Sequence, residues 1–113
     1  MSETKEITIP LINALNQTGG LAMRMPVGKL QKGKAWIQLH EEGTADILFF
    51  PREKAPYYTD RVPQPVWIET KDGNAVTKKS RREKQAEFRA QVEALGHRYI
   101  LARTIDEGLE ALR

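Results

Sequence analysis

At 113 residues, 40% hydrophobic and 29% charged, the chain is large enough for one core and too small for two. It has no cysteine, and its two histidines, His40 and His97, lie far apart in sequence. Disulfides and thiolate metal sites are therefore excluded, the histidines do not suggest a zinc cluster, and any metal would be a hard ion on carboxylates, Mg²⁺ or Mn²⁺. No apolar run is long enough to span a membrane, and residues 1–6 do not read as a signal peptide, so a cytoplasmic location is expected.

The first periodic segment covers residues 6–17. Either Ile9, Ile12 and Leu15 or the pair Leu11 and Leu15 fall at helical spacing, before Gly19-Gly20 stops the helix. Pro10 is tolerated only in a first turn, which places the helix start near Ile9. Residues 21–27 read as a strand, 29–34 as a basic turn, 35–39 as a second strand and 46–50 as a third, entered through Gly43. Trp36 and Trp67 are expected in the core. Residues 51–65, rich in proline, charge and tyrosine, form a surface excursion. Residues 66–71 make a strand ending at the Asp72-Gly73 turn, and a long helix runs from about 78 to 95, closed by Gly96. A strand over 97–102 and a short helix opened by the Thr104–Glu107 capping box complete the chain.

The order helix, three or four strands, helix, strand, helix (α-β-β-β-α-β-α in its shorter form) predicts an α/β fold in which helices flank a mixed sheet. The strand–helix–strand portion is expected as a parallel crossover. On the strand at 66–71, alternation puts Trp67, Glu69 and Lys71 on one face and Val66, Ile68 and Thr70 on the other. Two opposite charges at the end of an otherwise apolar strand are costly unless paired or used. Asp46, at the head of the strand 46–50, poses the same question. Two carboxylates from neighbouring strands can hold Mg²⁺, and a lysine two residues from one of them can stabilise a phosphoryl transition state. Along the long helix, Phe88, Val92 and Leu95 form an apolar stripe that continues backwards through Gln85, Arg81 and Lys78. Between residues 71 and 84, six basic residues stand against Asp72 and Glu83. That run makes Lys78, Lys79, Arg81 and Arg82 candidates for phosphate contacts.

With these residues in hand, the chain resembles the VRR-NUC family of the PD-(D/E)XK nuclease superfamily over nearly its whole length. Gly43-Thr44-Ala45-Asp46-Ile47 is similar to the family element that carries its first metal-binding aspartate, and Ile68-Glu69-Thr70-Lys71 fits its Glu-X-Lys element. The resemblance implies one domain spanning 1–113 with a restriction-endonuclease-like fold. It implies Asp46, Glu69, Lys71 and Gln85 as catalytic residues, with metal held by Asp46, Glu69 and the Thr70 backbone carbonyl. Glu6 is the candidate for a further first-helix ligand, although counting back from Gly19-Gly20 puts that position nearer Thr8. Arg24 corresponds to an arginine on an early strand and joins the DNA-binding set. The expected function is Mg²⁺-dependent endonuclease cleavage of DNA by a homodimer, with junction or branched DNA as substrate. A DNA-binding or assembly module that keeps the fold without catalysis is the alternative.

Overall fold

The computed structural model describes residues 4–27, 29–52, 64–71 and 79–112. A π-helical turn, Thr4–Thr8, leads into helix α1, Ile9–Gln17, with Pro10 in the first turn as its missing N–H requires. Leu11 and Leu15 are buried, Ile12 is partly buried and Ile9 is exposed, so the helix turns its Leu11–Leu15 stripe inward. After the glycine turn the chain enters β1, Leu21–Arg24; the Asn16 side-chain oxygen accepts from the Ala22 N–H at 2.8 Å and closes that turn.

Strands β1, β4 (Ile47–Phe50), β5 (Val66–Thr70) and β6 (Arg98–Ala102) form one sheet in the order β1-β4-β5-β6. The first two pairings are antiparallel and β5–β6 is parallel, joined through helix α2, Lys79–Ala94, as the strand–helix–strand pattern predicts. The sheet is mixed and helices accompany it, so the protein is α/β. Helix α3, Ile105–Glu110, begins at Thr104, whose hydroxyl accepts from the Glu107 N–H at 3.0 Å. That contact is one half of the capping box expected from sequence; the Glu107 carboxylate accepts from the Arg103 N–H at 3.4 Å instead of from Thr104.

The core lies between one face of the sheet and α1 with α3. Ala22, Ile47, Phe49, Val66, Ile68, Ile100 and Ala102 meet Leu11 and Leu15 there, with Ile105 and Leu109 packed against them. The opposite face carries Leu48, Trp67 and Tyr99 in register, and α2 covers it through a narrow stripe. Phe88 stands edge-on to Trp67, ring centroids 5.0 Å apart, and tilted against Tyr99 at 6.3 Å. Val92 is buried beyond it.

The structure corrects three expectations. Leu95 is 76% exposed instead of completing the apolar stripe: it lies just past the end of α2 at Ala94, where the helix gives way to the Gly96 turn. Residues 29–34 are not simply a turn: Lys29–Lys32 is strand β2, paired antiparallel with β3, Ala35–Gln38, in a separate two-stranded sheet. Trp36 on β3 is 65% exposed, so it is no part of the core, whereas Trp67 is half-buried under Phe88. The excursion expected at 51–65 and the Asp72-Gly73 turn fall largely or wholly outside the described residues.

Candidate functional site

The β4–β5 ladder stops at the Ile47–Ile68 pair. Beyond it the chain before β4 bends away toward β1, where the Met25 N–H donates to the Asp46 carbonyl at 2.8 Å. On the far side of β5 the ladder continues to Thr70–Ala102, and the Lys71 N–H donates to the Ala102 carbonyl at 2.9 Å. Backbone groups alternate along a strand, so the N–H and carbonyl of Thr70 face the β4 side, one step past the last β4–β5 ladder pair.

Asp46 fills that place. Its Oδ2 accepts from the Thr70 N–H at 2.8 Å and from the Thr70 hydroxyl at 3.0 Å. The Thr70 hydroxyl is in turn 2.6 Å from that of Thr8, both residues being buried. Asp46 therefore closes the end of a ladder as well as presenting charge. A carboxylate has about four acceptor positions, so two bonds on Oδ2 leave Oδ1 able to bind a cation.

Glu69 points to the α2 side and is 3% exposed. Gln85, half-buried on α2, donates from Nε2 to Glu69 Oε1 at 2.9 Å and accepts at Oε1 from Lys71 Nζ at 2.9 Å. Lys71 Nζ lies 3.7 Å from the same Glu69 oxygen. The amide has one orientation that satisfies both neighbours, since an ammonium only donates and a carboxylate only accepts. Lysine, glutamine and glutamate thus form a closed triangle at the end of β5.

Tyr99, half-buried on the α2 side of the sheet, feels the charge gathered at this strand end. Its phenol is pushed well above the usual tyrosine range, first by burial, then by the negative charge of Glu69 and, more weakly, of Asp46, against an opposing pull from Arg89. The Arg89 guanidinium sits over the ring, 5.1 Å from its centroid. Sequence reasoning gave Tyr99 no role; its parallel pairing with Trp67, two residues before Glu69, is the signal that places it here.

Of the residues singled out from sequence, Asp46, Glu69, Thr70, Lys71 and Gln85 meet at one end of the sheet. Arg24 lies at the same end, exposed, next to the Met25–Asp46 contact. Glu6 is exposed on the π-helical turn, and Thr8 is the first-helix residue that reaches the strand end. Lys79, Arg81 and Arg82 are exposed on the first turns of α2, and Lys78 lies outside the described residues. Arg81 is 3.6 Å from Glu42, which also takes Lys84 at 2.9 Å. Those two cations, Lys84 foremost, hold the Glu42 carboxyl below its usual range.

The loop that delivers Asp46 is locked to α2 at Gly43. Its φ is +99°, and a Cβ there would stand 2.7 Å from the Lys84 carbonyl oxygen. Only glycine allows that backbone bend and that approach. The contact links Asp46, three residues on, to Gln85, one residue on. Beside it a groove of about 410 Å³ runs between residues 38–44 and α2, with Glu41, Glu42, Glu87 and Lys84 among its lining residues. Its excess of carboxylates does not suit a phosphate chain.

No protein-family model, curated protein or solved structure matches this chain. Its chemistry therefore rests on its own atoms. Among the described residues no group of three or more histidine or acidic side chains gathers as a metal site. Asp46, Glu69 and the Thr70 carbonyl are hard oxygen donors at one strand end, a set that suits Mg²⁺ with waters or substrate filling the remaining positions. Among the described residues no helix is long and apolar enough to cross a membrane.

Proposed function

We propose that this chain is a Mg²⁺-dependent endonuclease of the restriction-endonuclease-like, VRR-NUC type, cleaving phosphodiester bonds in DNA. The observation that carries this reading is the Lys71–Gln85–Glu69 triangle beside Asp46, at a strand end edged by exposed basic residues. Charges so well enclosed cost stability, and a reacting phosphate gives them a use. Junction or branched DNA is the proposed substrate, and a homodimer the proposed assembly, which would present two sites to two strands.

Asp46, Glu69 and the Thr70 carbonyl would hold the ion. When bound, Mg²⁺ polarises the phosphoryl oxygen and makes its water easier to deprotonate. Gln85 fixes Lys71 by accepting from its ammonium and leaves that cation directed at the strand end. Lys71 orients the attacking water and offsets the negative charge that grows on the phosphoryl oxygens. Water adds to phosphorus, one P–O ester bond breaks, and the products are a phosphomonoester and a hydroxyl terminus. Arg24, Lys79 and Arg82 bind flanking phosphates.

A labelled four-way junction and a linear duplex, incubated with Mg²⁺ or Mn²⁺, test this directly. Lys71→Ala should lower cleavage on the order of 10²–10³-fold, the usual effect of losing one transition-state donor. A second reading is favoured by the two hydrogen bonds from Thr70 to Asp46 Oδ2 and by the absence, among the described residues, of a third acidic group gathered with Asp46 and Glu69. In that reading the chain binds DNA without cutting it. Wild-type protein that holds junctions yet never cleaves DNA or RNA under either ion would establish it.

A further inference from the structure

The β2–β3 hairpin has no role in the site described above, and its composition does not suit a structural element. Every residue of both strands is exposed. Residues 29–38 contain Lys29, Lys32 and Lys34 and no acidic residue. A lone two-stranded ribbon is marginally stable in water, and this one carries an indole that is 65% exposed. The pairing Lys29–Gln38 and Gln31–Trp36 puts Lys29, Gln31, Trp36 and Gln38 on one face. Leu30, Ile37 and Lys32 share the other.

The root of the hairpin gives it an address. Val27 bridges to His40, and the His40 N–H donates to the Pro26 carbonyl at 3.0 Å. One residue before Pro26, the Met25 N–H holds the Asp46 carbonyl. The ribbon therefore leaves the body at the sheet end where Asp46, Glu69 and Lys71 stand. With a rise near 3.3 Å per residue, the residues from root to tip reach roughly 20 Å.

Resting on the nuclease reading, we propose that this hairpin is a nucleic-acid-binding arm: Trp36 stacks on an unpaired base, and Lys29, Lys32 and Lys34 hold phosphates next to the cleavage site. Charge complementarity selects a polyanion, and an exposed indole flanked by a lysine and two carboxamides suits an unstacked base better than a paired one. The arm takes splayed or single strands, which makes it a device for choosing branched over continuous duplex DNA.

Full-length protein in chelator, with a fluorescein-labelled 20-nucleotide oligothymidylate and a blunt 20-base-pair duplex as probes, tests this by anisotropy over a salt series. Trp36→Ala should weaken oligothymidylate binding roughly 5- to 100-fold and leave the blunt duplex nearly unchanged. Changing all three lysines to glutamine should weaken both probes, by roughly 100-fold at 0.15 M salt, and flatten the salt slope by about 2.1 for oligothymidylate and about 2.7 for the duplex. Trp36→Phe marks the direct contact: oligothymidylate should quench tryptophan emission in wild type and not in this variant. All of these changes are on exposed positions, and unchanged thermal melts confirm folding.

If wild type binds and cuts while every hairpin variant does the same, the arm is refuted and the nuclease reading stands. If wild type binds neither probe and cuts nothing, both fall. If the variants split a wild-type dimer without changing DNA affinity, the hairpin joins two copies of the chain and the proposal is overturned.

Discussion

Replacing Gln85 by leucine removes the apex of the triangle while keeping its volume. Glu69, with its side chain 4% exposed, loses a donor that solvent cannot readily replace, at a cost of about 1–3 kcal/mol. Lys71, with its side chain 22% exposed, loses an acceptor that water can partly restore, which adds about 0.5 kcal/mol. The expected loss is thus about 1.5–3.5 kcal/mol, or roughly 6–14 °C in melting temperature for a domain of this size. Thermal unfolding followed by circular dichroism at neutral pH reads it. Lys71→Met and the double variant complete a cycle, whose coupling should be about 1–2 kcal/mol because the two residues share one hydrogen bond. Gln85→Glu keeps the acceptor for Lys71 but sets a second carboxylate against Glu69, so its melt should recover as the pH falls and the pair shares a proton. A Gln85→Leu melt within about 2 °C of wild type would show that the triangle stores no such energy, and the reasoning fails.

Thr70→Val should cost about 2 kcal/mol, since it strands the buried Thr8 hydroxyl and strips one bond from Asp46; adding Thr8→Val should recover part of that loss, and a double variant worse than the sum refutes the buried hydroxyl pair. Gly43→Ala should cost about 2–4 kcal/mol through its positive φ and the clash with the Lys84 carbonyl, and should lower cleavage by shifting Gln85; a melt like wild type rules this out. Glu42 has a depressed folded pKa, so its stabilisation is present above the unfolded value near 4.5 and fades as the pH falls through the folded one. Because the pair is exposed and screened, the effect is small: Glu42→Gln should melt below wild type at pH 7 in low salt and converge on it as the pH falls or the salt rises, and a gap that survives both conditions contradicts the ion-pair account.

Where the sequence is legible, one local pattern serves one structural task. Val66, Ile68 and Thr70 alternate with Trp67 and Glu69, and the strand they form buries both faces. Thr104 and Glu107 announce a helix start with local geometry alone. The misreadings come from identical patterns in different surroundings. Ala35-Trp36-Ile37 has the composition of a buried strand, and nothing local says that the strand stands off the body. Leu95 continues a helical stripe, but the stripe matters only as far as the sheet lies beneath it. For the site, alternation and spacing suffice to group Glu69, Lys71 and Gln85. The bond from Asp46 to Thr70 and the reach of Thr8 depend on where a ladder ends, which is a tertiary fact.

The early end of the β4–β5 ladder ties fold to chemistry. Had pairing run one step further, the backbone of β4 would occupy the Thr70 N–H and carbonyl, and Asp46 would have no reason to turn inward. Because the chain bends toward Met25 instead, a side chain must complete the strand end, and a carboxylate does so with acceptor capacity to spare. A hydroxyl or amide at position 46 would also satisfy Thr70, at a lower cost in buried charge. Closing the ladder therefore accounts for a polar residue at position 46 but not for an acidic one; together with Glu69, held by Gln85 and Lys71 on the adjoining face, the cation binding proposed above would give both side chains a use.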